Sequence, residues 1–209
     1  ALEPVAEKRI YSPLSVVQVQ KGVFVVDFGQ NIAGVIRWKL PKMLRQGERL
    51  VVQHMEFLEE DGSLFMGNLC RAKATDTYIA SGDQRDLAVW QPAFTYHGFR
   101  YAQISGIDFL EKEDICAVAI YTNLDKGSWF RSGSALINQI HKMVVQTERA
   151  DMHSILTDCP QRDERMGWMN DATVRFEETP YNFEVGRIFP KIIQDLMDTQ
   201  DKDGGITCT

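Results

Sequence analysis

Thr157-Asp158-Cys159-Pro160-Gln161-Arg162-Asp163-Glu164-Arg165-Met166-Gly167-Trp168-Met169-Asn170-Asp171 sets four carboxylates and two arginines into fifteen residues, with a proline, a glycine and a tryptophan among them. Neither a period of 2 nor one of 3.6 runs through it, so it reads as neither a plain strand nor a plain amphipathic helix. Pro160 pushes Cys159 away from helical angles and makes the start extended or turn-like. Amphipathic sequence flanks the stretch on both sides. An irregular polar loop held between regular elements is where catalytic and binding groups concentrate.

Upstream, residues 1 to about 130 read as β. Val23–Asp27 is a short apolar run that Phe28-Gly29-Gln30-Asn31 should end as a turn. Gly34–Leu40 sets Val35, Arg37 and Lys39 against Ile36, Trp38 and Leu40, the alternation of a half-buried strand. Further strands are expected at Glu48–Glu56, Lys73–Ala80, Val89–Phe94, Phe99–Ile104 and Ile115–Tyr121, with turns between them. Short strands with frequent turns suggest an antiparallel, jelly-roll-like β-sandwich rather than βαβ units. Near Ser132 the period changes. Ser134 is placed to cap a helix with Leu136, Ile137, Ile140, Met143 and Val144 on one face. Beyond the polar stretch, Asp171 is placed to cap a segment from Ala172 to about Tyr181, and a third helix spans about 184–201, where Pro190 marks a kink or its true start. The expected organisation is a β-sandwich domain over 1–130 followed by helices over 131–209.

Hydrophobic and charged fractions of 44% and 25% are those of a soluble globular protein. The net charge of -6 and the lack of any Lys/Arg-rich run argue against nucleic acid. No apolar run approaches the roughly 20 residues of a membrane span. The opening ALEPVAEKRI has no apolar signal-peptide core. Cys70, Cys116, Cys159 and Cys208 match no zinc spacing and read as free thiols, which favours a reduced, cytoplasmic setting. The four histidines form no paired ligand motif, so neither metal nor cofactor is expected.

Asp158, Asp163, Glu164 and Asp171 are close enough in sequence to repel, which should raise at least one pKa where the loop is desolvated. Carboxyls with separated pKa values are the material of acid–base catalysis and of glycoside hydrolysis. Trp168 adds a flat apolar face on which a sugar ring can stack. Arg162 and Arg165 can hold neighbouring carboxylates ionised. The competing reading is a solvated, salt-bridged loop. Calcium binding is the weaker third, since the regular alternation of oxygen donors in a calcium loop is missing.

The run Asp158–Arg165, followed by Gly167-Trp168 and Asp171, resembles the signature of bacterial α-L-rhamnosidases of glycoside hydrolase family 78. Asp27–Asn31 with Gly34, Lys73–Tyr78 and Phe94–Tyr101 resemble other segments of that family in the same order, so the likeness covers about residues 23–200. It implies a β-sandwich preceding an (α/α)6 barrel, and inverting hydrolysis of terminal α-L-rhamnose. By this resemblance Glu164 is the general acid. Asp158, Arg162, Asp163, Trp168 and Asp171 then line the rhamnose subsite. Asn170 departs from the glycine common there. The family's general base is a glutamate farther along than Thr209, so the 209 residues alone are expected to be inactive. Rhamnose-containing glycosides are the expected partners. Self-association is expected if the apolar helix faces lack neighbours. The alternative is a non-catalytic carbohydrate-binding or scaffolding module, which has no need of the Asp158–Asp171 loop.

Overall fold

A computed structural model of the chain describes residues 2–42, 44–83 and 88–207. Eight strands precede four helices among the described residues: β1 (Val5–Tyr11), β2 (Ser15–Gln20), β3 (Val23–Lys39), β4 (Arg49–Met55), β5 (Thr75–Ile79), β6 (Val89–Trp90), β7 (His97–Ser105), β8 (Ile115–Thr122), α1 (Ala135–Ala150), α2 (Met169–Thr173), α3 (Thr179–Asn182) and α4 (Ile188–Asp198). The chain divides into two compact units. The sheet unit comprises Glu7–Ile120 together with Gln161–Asp163. The helical unit comprises the residues up to Ala6, Tyr121–Pro160 and the residues from Glu164 onward.

β3 organises the sheet, whose order is β1-β8-β3-β7-β4-β5, with β2 and β6 also paired to β3. All the residue-level pairings of β2 to β8 are antiparallel. The strands therefore join in one hydrogen-bonded sheet, because β3 is 17 residues long and changes neighbours along its length. Its first half pairs with β2 and β7, and Gly34–Trp38 pairs with β8. The expected chain-reversing turn at Phe28–Asn31 is instead a register shift within β3, between the pairs Asp27↔Tyr101 and Ile32↔Phe99. Two local features carry the irregularity. Gly29 takes φ +72°, which glycine adopts without strain, and its N–H donates to Asp27 Oδ1 at 2.7 Å. Arg100 holds the same carboxylate through Nε and Nη2, both at 2.9 Å. Val35 and Ile36 are both buried, so this part of β3 is covered on both faces, unlike the half-buried strand its alternation suggests. β6 is shorter than expected. It ends at Trp90, and Phe94, at φ +59°, is fully exposed.

The sheet core includes Val26, Ile32, Trp38, Leu50, Val52, Phe99, Ile104 and Val118, each essentially inaccessible to solvent. Gly34 lies where β3 is paired on both sides, with His97 and with Ala119. A Cβ there would run into the Val118 carbonyl oxygen, which is backbone and cannot swing away. Gly34→Ala is therefore expected to cost about 1–3 kcal/mol by overpacking. Thermal unfolding tests this, and an unchanged midpoint would contradict it.

In the helical unit Ser134 caps α1 as expected, its hydroxyl accepting from Ile137 N–H. The apolar stripe Leu136, Ile137, Ile140 and Met143 is exposed, whereas the buried residue of α1 is Glu148. The core of this unit is Met152, Leu156, Ala172, Phe183, Ile188 and Ile192. The single helix expected over Ala172–Tyr181 is two short ones, with Pro180 in the opening positions of α3. Pro190 stands in the first turn of α4 and so marks its true start. Trp38 is buried in the core, and Trp129 is exposed. No described helix is long and apolar enough to cross a membrane. Among the described residues Cys70, Cys116 and Cys159 form no disulfide, and Cys208 lies outside the described residues.

Candidate active site

The polar stretch is a closed loop whose ends meet at Asp158 and Met166. Asp158 N–H donates to Met166 O at 3.0 Å, and Met166 N–H donates to Asp158 Oδ1 at 2.8 Å. One residue back, Thr157 N–H donates to Asp151 O at 2.9 Å, and Arg175 Nη2 donates to Thr157 O at 3.1 Å. Inside the loop, carboxylate oxygens of Asp158 and Glu164 and the Cys159 Sγ all lie within 4.8 Å of one another. Cys159 is buried, while Asp158 and Glu164 are half-buried. Arg165, next to Glu164, takes φ +41°, a left-handed conformation that side-chain-bearing residues adopt only under constraint.

The other expected site residues are placed differently. Asp163 belongs with the sheet unit, where Arg71 holds it through the backbone N–H at 3.3 Å and Nε at 3.2 Å. These bonds, the backbone one foremost, hold the Asp163 carboxyl below the usual carboxylate range. Arg162 is half-buried in the same three-residue excursion. Trp168 is half-buried, with its indole Nε1–H enclosed and without an acceptor among the described residues. Asp171 is exposed. It does not cap a helix starting at Ala172: α2 begins at Met169, so Asp171 lies within the first turn. An acid there still faces the positive end of the backbone dipoles. Asn170 is accommodated inside α2.

A carboxyl with a raised pKa lies outside the stretch. Burial, and then the charge of Glu148, push Glu178 up to about 7. Asn182 Nδ2 donates to Glu148 Oε2 at 2.7 Å and to Glu178 Oε2 at 3.0 Å. No sequence period points to this pair, because Glu148 sits on the polar side of a stripe that reads as the buried one.

A second group of ligand-type residues lies in the sheet unit. His97 Nε2 is 3.1 Å from both oxygens of Asp76, His54 Nε2 is 3.9 Å from Asp76 Oδ2, and His54 Nδ1 is 3.0 Å from Ala74 O. The two imidazoles stack, with centroids 4.2 Å apart and planes 21° apart. A ring nitrogen binds a metal in its own ring plane. One ion cannot lie in two nearly parallel planes this far apart, so the group is a hydrogen-bonded core network. Burial, followed by the neighbouring His97, lowers His54 to about 3 and keeps it neutral. His97, buried and hydrogen-bonded to Asp76, is part of that network.

Comparison with known families assigns both parts of the chain. Residues 17–121 match the bacterial alpha-L-rhamnosidase concanavalin-like domain, and residues 125–209 match the bacterial alpha-L-rhamnosidase 6 hairpin glycosidase domain. The chain belongs to the bacterial α-L-rhamnosidase family. An alpha-L-rhamnosidase of Formosa agariphila is 35% identical over 185 residues, covering 87% of this chain and 20% of the relative. The solved alpha-L-rhamnosidase from Dictyoglumus thermophilum superposes on all of this chain with a TM-score of 0.91 at 34% identity, over 23% of its own length. The Streptomyces avermitilis alpha-L-rhamnosidase, solved in complex with L-rhamnose, covers 99% of this chain with a TM-score of 0.90 at 31% identity, over 20% of its own length. The chain spans about a fifth of the length of the curated rhamnosidases that it matches.

Proposed function

We propose that this chain is the acid-bearing part of an inverting α-L-rhamnosidase. In this reading residues 1–130 form a β-sandwich domain, and residues 131–209 open an (α/α)6-barrel catalytic domain. The observation that carries the proposal is the loop closed between Asp158 and Met166, with the Asp158 and Glu164 carboxylates within 4.8 Å inside it. The L-rhamnose complex of the Streptomyces avermitilis relative supports rhamnose as the sugar recognised.

Glu164 is proposed to protonate the glycosidic oxygen as the bond to the leaving group breaks. Asp158, Asp171, Arg162 and Asp163 would bind rhamnose hydroxyls, and Trp168 would meet the apolar C-methyl side of the ring. Arg71 keeps Asp163 ionised and therefore an acceptor. Inversion needs a base roughly 6.5–9.5 Å from the acid, so that a water fits between base and sugar. Asp158 stands closer to Glu164 than that. Asp158 is thus not that base, and by the family resemblance the base is assigned to a glutamate outside these 209 residues. Acid–base hydrolysis of this kind draws on no cofactor.

The test is hydrolysis of an α-L-rhamnoside by protein extended to the length of its relatives, with the first-formed anomer followed by NMR. Release of β-L-rhamnose is expected, and no turnover is expected from the 209 residues alone. Release of the α anomer would replace inversion by retention. Rhamnose binding without hydrolysis by the extended protein would favour the non-catalytic carbohydrate-binding reading.

A further inference from the structure

Glu148 is the buried residue of a helix whose apolar stripe faces solvent, an inversion that calls for a reason. Its side chain is 2% exposed and meets Glu178 from the start of α3, with the Asn182 amide donating to both carboxyls. Two carboxylates at hydrogen-bonding distance in a desolvated place cannot both be ionised cheaply, so Glu178 keeps its proton and shares it with Glu148. The positive charge facing Glu178 is Arg175, three residues earlier in the chain, whose carbonyl accepts from Glu178 N–H at 3.1 Å and Thr179 N–H at 2.9 Å. The guanidinium does not spend its bonds on that acid. Its Nη2 donates to the carbonyl of Thr157, the residue that precedes Asp158.

We propose that Arg175 is a positioning residue for the Asp158–Met166 loop, and that the proton held between Glu148 and Glu178 decides whether it keeps that hold. While Glu178 is protonated, its pair with Glu148 carries a single negative charge, and Arg175 stays on Thr157 O. Once the proton leaves, two negative charges face Arg175 one turn away and draw the guanidinium off the carbonyl. The groups facing Glu178 are Glu148 from α1, Asn182 from α3 and Arg175 itself, and the first and last of these are charged. The sign follows from the raised pKa. Glu178 stays protonated as pH climbs past the ordinary glutamate value of 4.5, and ionises only through about 7. The loop is therefore anchored on the acidic side of neutrality and released on the alkaline side. That this loop carries the general acid rests on the function proposed above, but the switch itself does not.

Amide hydrogen exchange on the 209-residue chain separates the two. Asp158 and Met166 N–H, which close the loop, should gain about 2- to 10-fold in exchange on crossing pH 7, beyond the base catalysis that every amide feels, as loss of one net hydrogen bond implies. Glu178→Gln should keep them protected at every pH. Arg175→Gln should leave them unprotected at every pH. Glu148→Gln, whose pair never carries more than one negative charge, should likewise keep them protected at every pH. A wild-type profile in Glu178→Gln or in Glu148→Gln, or full protection in Arg175→Gln, would overturn the proposal. Since no turnover is read, failure here leaves the hydrolytic reading standing, and absence of hydrolysis in the extended protein leaves the exchange result standing.

Discussion

Glu164→Gln, placed in the protein extended to the length of its relatives, is expected to lower hydrolysis of an unactivated α-L-rhamnoside by about 10²- to 10⁴-fold, the range that general acid catalysis supplies. The motivation is the position of Glu164, half-buried in a closed loop with its carboxylate beside that of Asp158. The amide keeps the size and a hydrogen-bonding edge but has no proton to deliver to the leaving oxygen. The defect should therefore shrink for a rhamnoside with a very good leaving group, which departs without protonation. Rhamnose binding should survive. Asp158→Asn is expected to behave differently. It weakens the acceptor that Met166 N–H uses to close the loop, as well as the acceptor proposed for sugar hydroxyls, so binding and turnover should fall together whatever the leaving group. Kinetics of both variants on activated and unactivated substrates make the comparison. Near wild-type rates for Glu164→Gln on the unactivated substrate would remove Glu164 from the role of acid.

The largest stability effect is expected at Phe99. It is fully buried, and its ring meets Phe28 edge-on at 5.9 Å and the His54 imidazole at 4.8 Å. It pairs with Ile32 where β3 and β7 resume their register. Phe99→Ala would empty the centre of the sheet unit and leave His54, which is already desolvated, beside a void. The expected cost is about 3–5 kcal/mol. For a chain of this size that corresponds to a drop of roughly 6–20 °C in the unfolding midpoint. Phe99→Leu, which fills most of the space, should retain much of the stability. A loss in Phe99→Ala no greater than that of an exposed substitution would mean that the site collapses around the gap.

Much of the candidate site is legible in the amino-acid sequence. The Asp158–Asp171 stretch stands out because its residues break both periods, and Pro160 and the crowded charges rule out an ordinary helix through local sterics and repulsion. The cap at Ser134 is equally legible, since a cap and the N–H it satisfies lie within one turn. Alternation along Gly34–Leu40 identifies a strand but overstates its exposure, because burial on both faces depends on the neighbours β7 and β8. The turn expected at Phe28–Asn31 fails for a related reason. Gly29 and Asp27 do bend the backbone locally, yet β7 pairs on both sides of the bend and holds β3 as one strand.

What the sequence alone determines is the order of β before α, the loop between regular elements and the residue types gathered in it. Each of these follows from interactions within a few residues. Tertiary structure decides which of those residues meet. Arg71 takes Asp163 from 92 residues away, and Arg175 reaches back 18 residues to the Thr157 carbonyl. Glu148 turns inward against the apolar pattern of its own helix because Asn182, 34 residues later, donates to its carboxylate. Long-range partners of this kind are selected by packing and register, which no window of local sequence contains.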